Sequence, residues 1–275
     1  MNINLLTELE AQSLNALIDN AENIVIFSHR SPDGDAIGSS LGMAAYLKQR
    51  GKENVAVVVP DMFPNFLQWM PGADFILRYD KKKEEVEKTV SEADLMFCLD
   101  FNDASRTAEI EPFITESKAK KVLIDHHLDP NIDVEIKVSH PEACSTCELV
   151  FRIIWQLGGF DSMDKDVAVP IYCGMMTDTG GFTYNSNRPE IFFIISQLLT
   201  KGINKDKIYR NVFNNYSVWR LRLMGFVMYT KLNVFNEYHS SYFTLTRQDL
   251  KHFHFIKGDA EGLVNMPLQI KGMKL

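Results

Sequence analysis

Three of four short apolar runs lead straight into acidic or imidazole side chains, and that pattern restricts the folds open to this chain. IVIF (24–27) leads to His29, LMFCLD (95–100) ends in Asp100, and KVLID (121–125) ends in Asp125 and continues into His126 and His127. The fourth run is VAVVV (55–59). All four are continuous rather than alternating, as strands covered on both faces require. Helical segments separate the first two runs and the last two. Ala36–Arg50 is the clearest, with Asp35 placed to cap its start and Gly51 to stop it; residues 81–94 form a charged, solvated helix. Strands alternating with helices predict an α/β fold built on a parallel sheet with flanking helices.

The rest of the chain is more helical. An amphipathic helix carrying Leu6, Leu9, Leu14, Leu17 and Ile18 precedes the first strand. CSTCELVFRIIWQLGG (144–159) opens with Ser145 and has Glu148 three residues on, a capping box. DKDVAVPIYCGMMTDTGGF (164–182) reads as a buried helix running into a glycine turn, and RPEIFFIISQLLTKG (188–202) as another helix. Residues 204–232 read as two helices broken near Tyr216–Ser217, with Ser217 capping the second, and a hairpin and short helix follow. The expected organisation is a catalytic domain over 1–190, a helical linker over 191–217 and a smaller α+β domain over 218–275.

The formal net charge of -7 over 275 residues argues against a duplex-DNA footprint, which needs clustered Lys and Arg, but permits a small anionic substrate held by a few cations. No apolar run approaches the ~20 residues of a membrane span. The N-terminus lacks the basic and cleavage features of a signal peptide. Cys98, Cys144, Cys147 and Cys173 include one lone C-x-x-C pair and read as reduced thiols of a cytoplasmic protein.

In a doubly wound sheet, ligands bind beyond the carboxyl ends of the strands. His29, Asp100 and Asp125-His126-His127 fall there, and Asp178 follows a buried helix just before Gly180 and Gly181. Taken singly, Asp35 is a helix cap and Asp33 a turn residue. Taken together, Asp33, Asp35, Asp100, Asp125 and Asp178 gather like charges that need counter-cations. Carboxylates mixed with imidazoles suit manganese, zinc, iron or cobalt, and two such ions can share a carboxylate, with Asp100 the natural bridge.

SHRSPDGDAIGS (28–39), LDFND (99–103), LIDHH (123–127) and MTDTGGF (176–182), in that order, resemble the four motifs of the DHH phosphoesterase superfamily. The subgroup most similar is the bacterial oligoribonucleases that also act as phosphatases on 3′-phosphoadenosine 5′-phosphate. The resemblance implies a Rossmann-like catalytic domain and two divalent ions, most often Mn2+, with Mg2+, Co2+ or Zn2+ as alternatives. It assigns His29 and Asp33 to one ion, Asp35, His126 and Asp178 to the other, and Asp100 to both. His127 faces the substrate phosphate, and Asp125 orients the histidines. Arg106 is the first candidate phosphate clamp and Arg188 and Arg30 weaker ones, while Gly180 and Gly181 permit close backbone approach. Gly38, Gly42 and Ala45 read as a small-residue stripe packing the first helix of this domain on the sheet. The implied substrates are short single-stranded oligonucleotides or small nucleotides, with cyclic or linear dinucleotide hydrolysis as the alternative and a non-catalytic nucleotide-binding protein as the lesser one. A homodimer is compatible with this reading. The family's second domain carries a Gly-rich GGGH segment that this sequence lacks, so that domain is expected to be partial.

Overall fold

The computed structural model describes residues 2–274. They divide into two compact units at Val212–Phe213, within the segment read as a linker; Pro64–Phe66 belongs with the second unit.

The first unit holds α1 (Glu8–Asn20), β1 (Asn23–Phe27), α2 (Gly34–Gln49), β2 (Asn54–Val59), β3 (Leu77–Arg78), α3 (Lys83–Ser91), β4 (Leu95–Leu99), α4 (Glu111–Thr115), β5 (Lys120–Asp125), β6 (Ile136–Ser139), α5 (Thr146–Gln156), α6 (Lys165–Asp178), α7 (Pro189–Thr200) and α8 (Lys205–Phe213). The six strands are all parallel, in the order β3-β2-β1-β4-β5-β6. The order reverses between β1 and β4, the crevice where such sheets bind ligands. Alternate residues of the central strands serve opposite faces. Val25, Phe27, Met96, Cys98 and Leu123 pack with Val86 and Val90 of α3 and Ile114 of α4. Helices α2 and α5 contact the strands from the other side. Burial on both faces is why these strands are continuous apolar runs.

Two local readings change. The cap of α2 is Asp33, whose Oδ1 accepts from the amides of Asp35 and Ala36, each at 3.0 Å; Asp35 lies inside the first turn. Gly38 and Gly42 face α6 rather than the sheet. A Cβ on Gly38 would stand 2.6 Å from the Pro170 carbonyl oxygen, and one on Gly42 would stand 2.6 Å from Ile171 Cγ1. Ala45 sits apart, half-buried on the wall of a separate cavity with Val55 and Phe75. The glycines thus let two helices approach closely.

The second unit contains α9 (Val218–Phe226), capped by Ser217, a hairpin of β7 (Asn233–Phe235) and β8 (Ser240–Tyr242), and α10 (Arg247–His252). Leu223, Val227, Phe253 and Leu263 form its core. No helix among the described residues is long and apolar enough to cross a membrane.

Gly38→Ala forces its new methyl against a fixed backbone carbonyl. The expected cost is ~1–3 kcal/mol, the usual penalty for overpacking a close contact. Urea unfolding of the purified protein measures it; an unchanged midpoint would show that α2 and α6 have room to part.

Candidate metal centre

Strand ends and helix starts together bring the acids into one place. β1 delivers His29, β4 delivers Asp100, β5 delivers Asp125, His126 and His127, the start of α2 delivers Asp33 and Asp35, and the end of α6 delivers Asp178. Asp100 follows its strand in a left-handed conformation, φ 66°, with its amide donating to the Ile124 carbonyl at 3.2 Å. Such a backbone is uncommon outside glycine, though Asp tolerates it better than most residues.

Asp100 is shared between two donor groups. Its Oδ2 lies 3.5 Å from His29 Nε2, which in turn is 4.0 Å from Asp33 Oδ1. Its Oδ1 lies 3.6 Å from His126 Nε2, which also faces Asp35 Oδ2 at 3.8 Å and Asp178 Oδ2 at 3.6 Å. These separations exceed a normal hydrogen bond. They approach the ligand-to-ligand edge of about 3–3.4 Å that metal bonds near 2.1 Å impose. Asp100, His126 and His127 form a third close grouping.

The surroundings prepare the donors. His29 Nδ1 meets the Arg30 carbonyl at 2.8 Å and His126 Nδ1 meets that of Ala143 at 3.3 Å. A carbonyl only accepts, so both Nδ1 atoms carry the proton and both Nε2 lone pairs face the acids. His127 Nδ1 donates to Asp125 Oδ1 at 2.7 Å. Asp125 Oδ2 is buried without a hydrogen-bond partner among the described residues. The start of α5 adds contacts that the sequence reading did not assign to the site. The amides of Thr146 and Cys147 donate to the two oxygens of Asp35 at 2.6 and 2.9 Å, and the Thr146 hydroxyl donates to Asp100 Oδ1 at 3.0 Å. The Ser145 cap was the available signal, because it marks a helix N-terminus, and such ends bind anions. The expected capping box is only half formed, since Glu148 accepts from the Cys144 amide instead of that of Ser145.

Burial and like charge weigh on these acids. Asp35 and Asp100 are 1% and 2% exposed. Burial above all, then the neighbouring carboxylates, holds both well above the usual carboxylate range. Asp178 is pushed up to about 6, mainly by burial, with the Asp33 charge adding and His126 opposing. Among the described residues, no Lys or Arg forms an ion pair with any of the five acids. Buried carboxylates without basic partners, facing imidazole lone pairs, fit divalent cations.

The other anticipated residues have different surroundings. Arg106 lies half-buried on the helical turn after β4, and its guanidinium has no hydrogen bond or ion pair among the described residues. Arg188 is engaged with buried Glu148 at 2.5 Å, beside Arg152. Gly180 and Gly181 take φ of 55° and 72°, and their amides donate to Thr177 and Met176 carbonyls. They close the end of α6 instead of presenting free amides to a phosphate.

Comparison with known proteins shows the family to which the chain belongs. Residues 23–175 match the DHH family, N-terminal domain. The crystal structure of an exopolyphosphatase-related protein from Bacteroides fragilis superposes with a TM-score of 0.93 at 50% identity, over 98% of this chain and 79% of that one. The bifunctional oligoribonuclease and PAP phosphatase NrnA of Thermus thermophilus is 33% identical over 75% of this chain and 58% of its own length. The cyclic-di-AMP phosphodiesterase PdeA of Listeria monocytogenes is 26% identical over 63% of this chain and 27% of its own. The chain therefore spans little more than half of the Thermus relative.

The raised Asp178 sets a sign for stability in the metal-free protein. Between its ordinary value of 3.8 and about 6 the folded state binds the proton more tightly than the unfolded state does. Stability contributed by that proton is lost as pH rises through about 6. Relative to Asp178→Asn, the metal-free protein should lose stability over this window, and saturating Mn2+ should reduce the loss. Urea titrations at pH 4, 5, 6 and 7 test this; parallel curves for the two proteins would refute it.

Proposed function

Because the chain belongs to the DHH family, we propose that it is a metal-dependent phosphoesterase that hydrolyses very short oligonucleotides to mononucleotides and also dephosphorylates 3′-phosphoadenosine 5′-phosphate. The observation that carries this reading is Asp100, whose two oxygens face two separate donor groups. The Thermus relative, whose name carries both activities, supports the choice of substrate.

His29 and Asp33 would hold one divalent ion, Asp35, His126 and Asp178 the other, and Asp100 both. Mixed oxygen and imidazole donors favour Mn2+ in this proposal. Bound there, the ions would supply Lewis-acid charge to the phosphoryl oxygens and lower the pKa of water. The chain's own groups complete the chemistry. His127 Nδ1 donates to Asp125, which orients the ring, and in its doubly protonated imidazolium form the ring can give the Nε2 proton to the departing oxygen. His127 is accessible enough for that role, with its side chain 34% exposed. The Arg106 fork, uncommitted among the described residues, is proposed to clamp non-bridging oxygens. The α5 amides hold Asp35 in place while charge moves on the substrate.

A second reading, hydrolysis of a cyclic dinucleotide or its linear product, is favoured by the match to the Listeria phosphodiesterase. We place the protein in the cytoplasm as part of the same proposal; its four buried, unpaired thiols suit a reducing compartment.

Incubation with diadenylate, 3′-phosphoadenosine 5′-phosphate, cyclic diadenylate and pyrophosphate, each with Mn2+, tests the proposal. Diadenylate and the bisphosphate should be turned over fastest, and absence of diadenylate cleavage refutes the leading reading. Asp100→Asn should lower kcat/KM on the order of 10²–10³-fold or more while keeping the native circular dichroism spectrum.

A further inference from the structure

The carboxyl ends of β1, β2 and β3 border a cavity of about 530 Å³ that the hydrolytic reading leaves without a role. It adjoins the donor set through the chain itself. Arg30, on its wall, follows His29, and the Arg30 carbonyl holds the His29 ring. The Arg30 amide in turn donates to the Arg106 carbonyl at 2.8 Å, which ties the β1 and β4 loops together.

Three cations line the cavity: Arg30, Lys81 and Lys83. Neither the Arg30 guanidinium nor the Lys81 ammonium has a hydrogen bond or ion pair among the described residues. Lys83 approaches Glu87 only to 3.9 Å and lies 5.6 Å from the centre of the Tyr79 ring. Two of the three acids on the wall are engaged. Both Asp80 oxygens accept from Arg78, at 3.0 and 2.7 Å, and Asp61 Oδ1 accepts from the Ser31 amide at 2.6 Å. Glu109 is exposed. Uncommitted cations around a cavity beside a phosphoryl-handling cluster suit a second anionic group of the same molecule.

We propose that this cavity is a subsite for a second, terminal phosphate of the substrate, an inference that rests on the phosphoesterase reading above. Binding a remote phosphate there supplies energy that positions the scissile one. The chain then prefers a 5′-phosphorylated dinucleotide over its 5′-hydroxyl form. It likewise prefers a nucleoside 3′,5′-bisphosphate over the 3′-monophosphate. A cyclic dinucleotide has no terminal phosphate to place.

The test compares kcat/KM with Mn2+ for 5′-phosphorylated diadenylate and its 5′-hydroxyl twin, in the unmodified protein, in Lys81→Ala/Lys83→Ala and in Lys81→Glu. The phosphorylated member should be favoured about tenfold, the worth of one charge-assisted hydrogen bond. That ratio should fall towards one in the double variant and further in Lys81→Glu. Both lysines are exposed, so thermal melts should show both variants folded. No preference in the unmodified protein, or a preference retained by folded variants, overturns the subsite. If neither dinucleotide is cleaved, the oligonucleotide reading fails, and the subsite is then read from inhibition of bis-p-nitrophenyl phosphate hydrolysis. Adenosine 3′,5′-bisphosphate should inhibit about tenfold more tightly than adenosine 3′-monophosphate, and only with the lysines present. Equal inhibition overturns it.

Discussion

Two carboxylates, Asp35 and Asp100, are buried at the end of an apolar sheet with no Lys or Arg paired to either among the described residues. Burying an unpaired charge costs several kcal/mol, so much of the surrounding structure answers that cost. Two α5 amides serve Asp35, each a charge-assisted hydrogen bond of about 1.5–3 kcal/mol. A hydroxyl serves Asp100, while the two imidazole Nε2 lone pairs that face its oxygens bring no charge to offset it. These contacts still leave both carboxylates holding their protons well above the usual range. Divalent cations supply the missing charge in the functional proposal, and ions that bind only the folded chain also stabilise it. Folding and metal binding then answer the same electrostatic problem.

The close packing of three helices follows from where those acids must sit. Asp35 can reach the start of α5 only if α2, α5 and α6 converge. A Cβ on Gly174 would stand 2.2 Å from Cys147 Sγ and 3.1 Å from Asp35 Oδ1, and one on Gly34 would stand 2.2 Å from Thr177 Oγ1. These glycines therefore belong to the site as much as to the packing. They bring the helix start that carries Asp35 against the helix end that carries Asp178. Conversely, the exposed charges of α3 after Lys83 lie outside this junction, and their spacing constrains little beyond a solvated face.

The sheet and most of the donor set were legible in the sequence because both are consequences of short chain segments. A continuous apolar run declares a doubly covered strand, and the polar residue after it falls at the carboxyl edge by construction. What stayed hidden depends on partners far along the chain. β3 has two residues and β6 shows a mixed burial pattern, so neither has a run long enough to announce itself. Either acid of Asp-Gly-Asp fits a helix cap. Asp33 takes that role because α5, more than 100 residues on, draws Asp35 inward. Arg188 had the chemistry of a phosphate clamp, but a buried glutamate forty residues earlier holds it. The small-residue stripe was visible, and its partner helix was not.

A cluster of acids and imidazoles with bound cations neutralises a phosphoryl group and makes no distinction between the molecules that carry one. Selection among substrates has to come from side chains that touch parts of the substrate other than the reacting phosphorus, since only those parts differ. Arg30, Lys81 and Lys83 occupy such a position, on loops and a helix start with no part in the donor set, yet tied to it through the His29–Arg30 contact. In the proposed subsite, a change there would alter which phosphoester is preferred without redrawing the arrangement of the donors. The donors sit instead on strand ends and packed helices, where a small displacement disturbs several carboxylates at once. On the functional proposal, rigid elements would carry the chemistry and the adjoining loops the choice of substrate, a division that lets one sheet edge serve different phosphoesters.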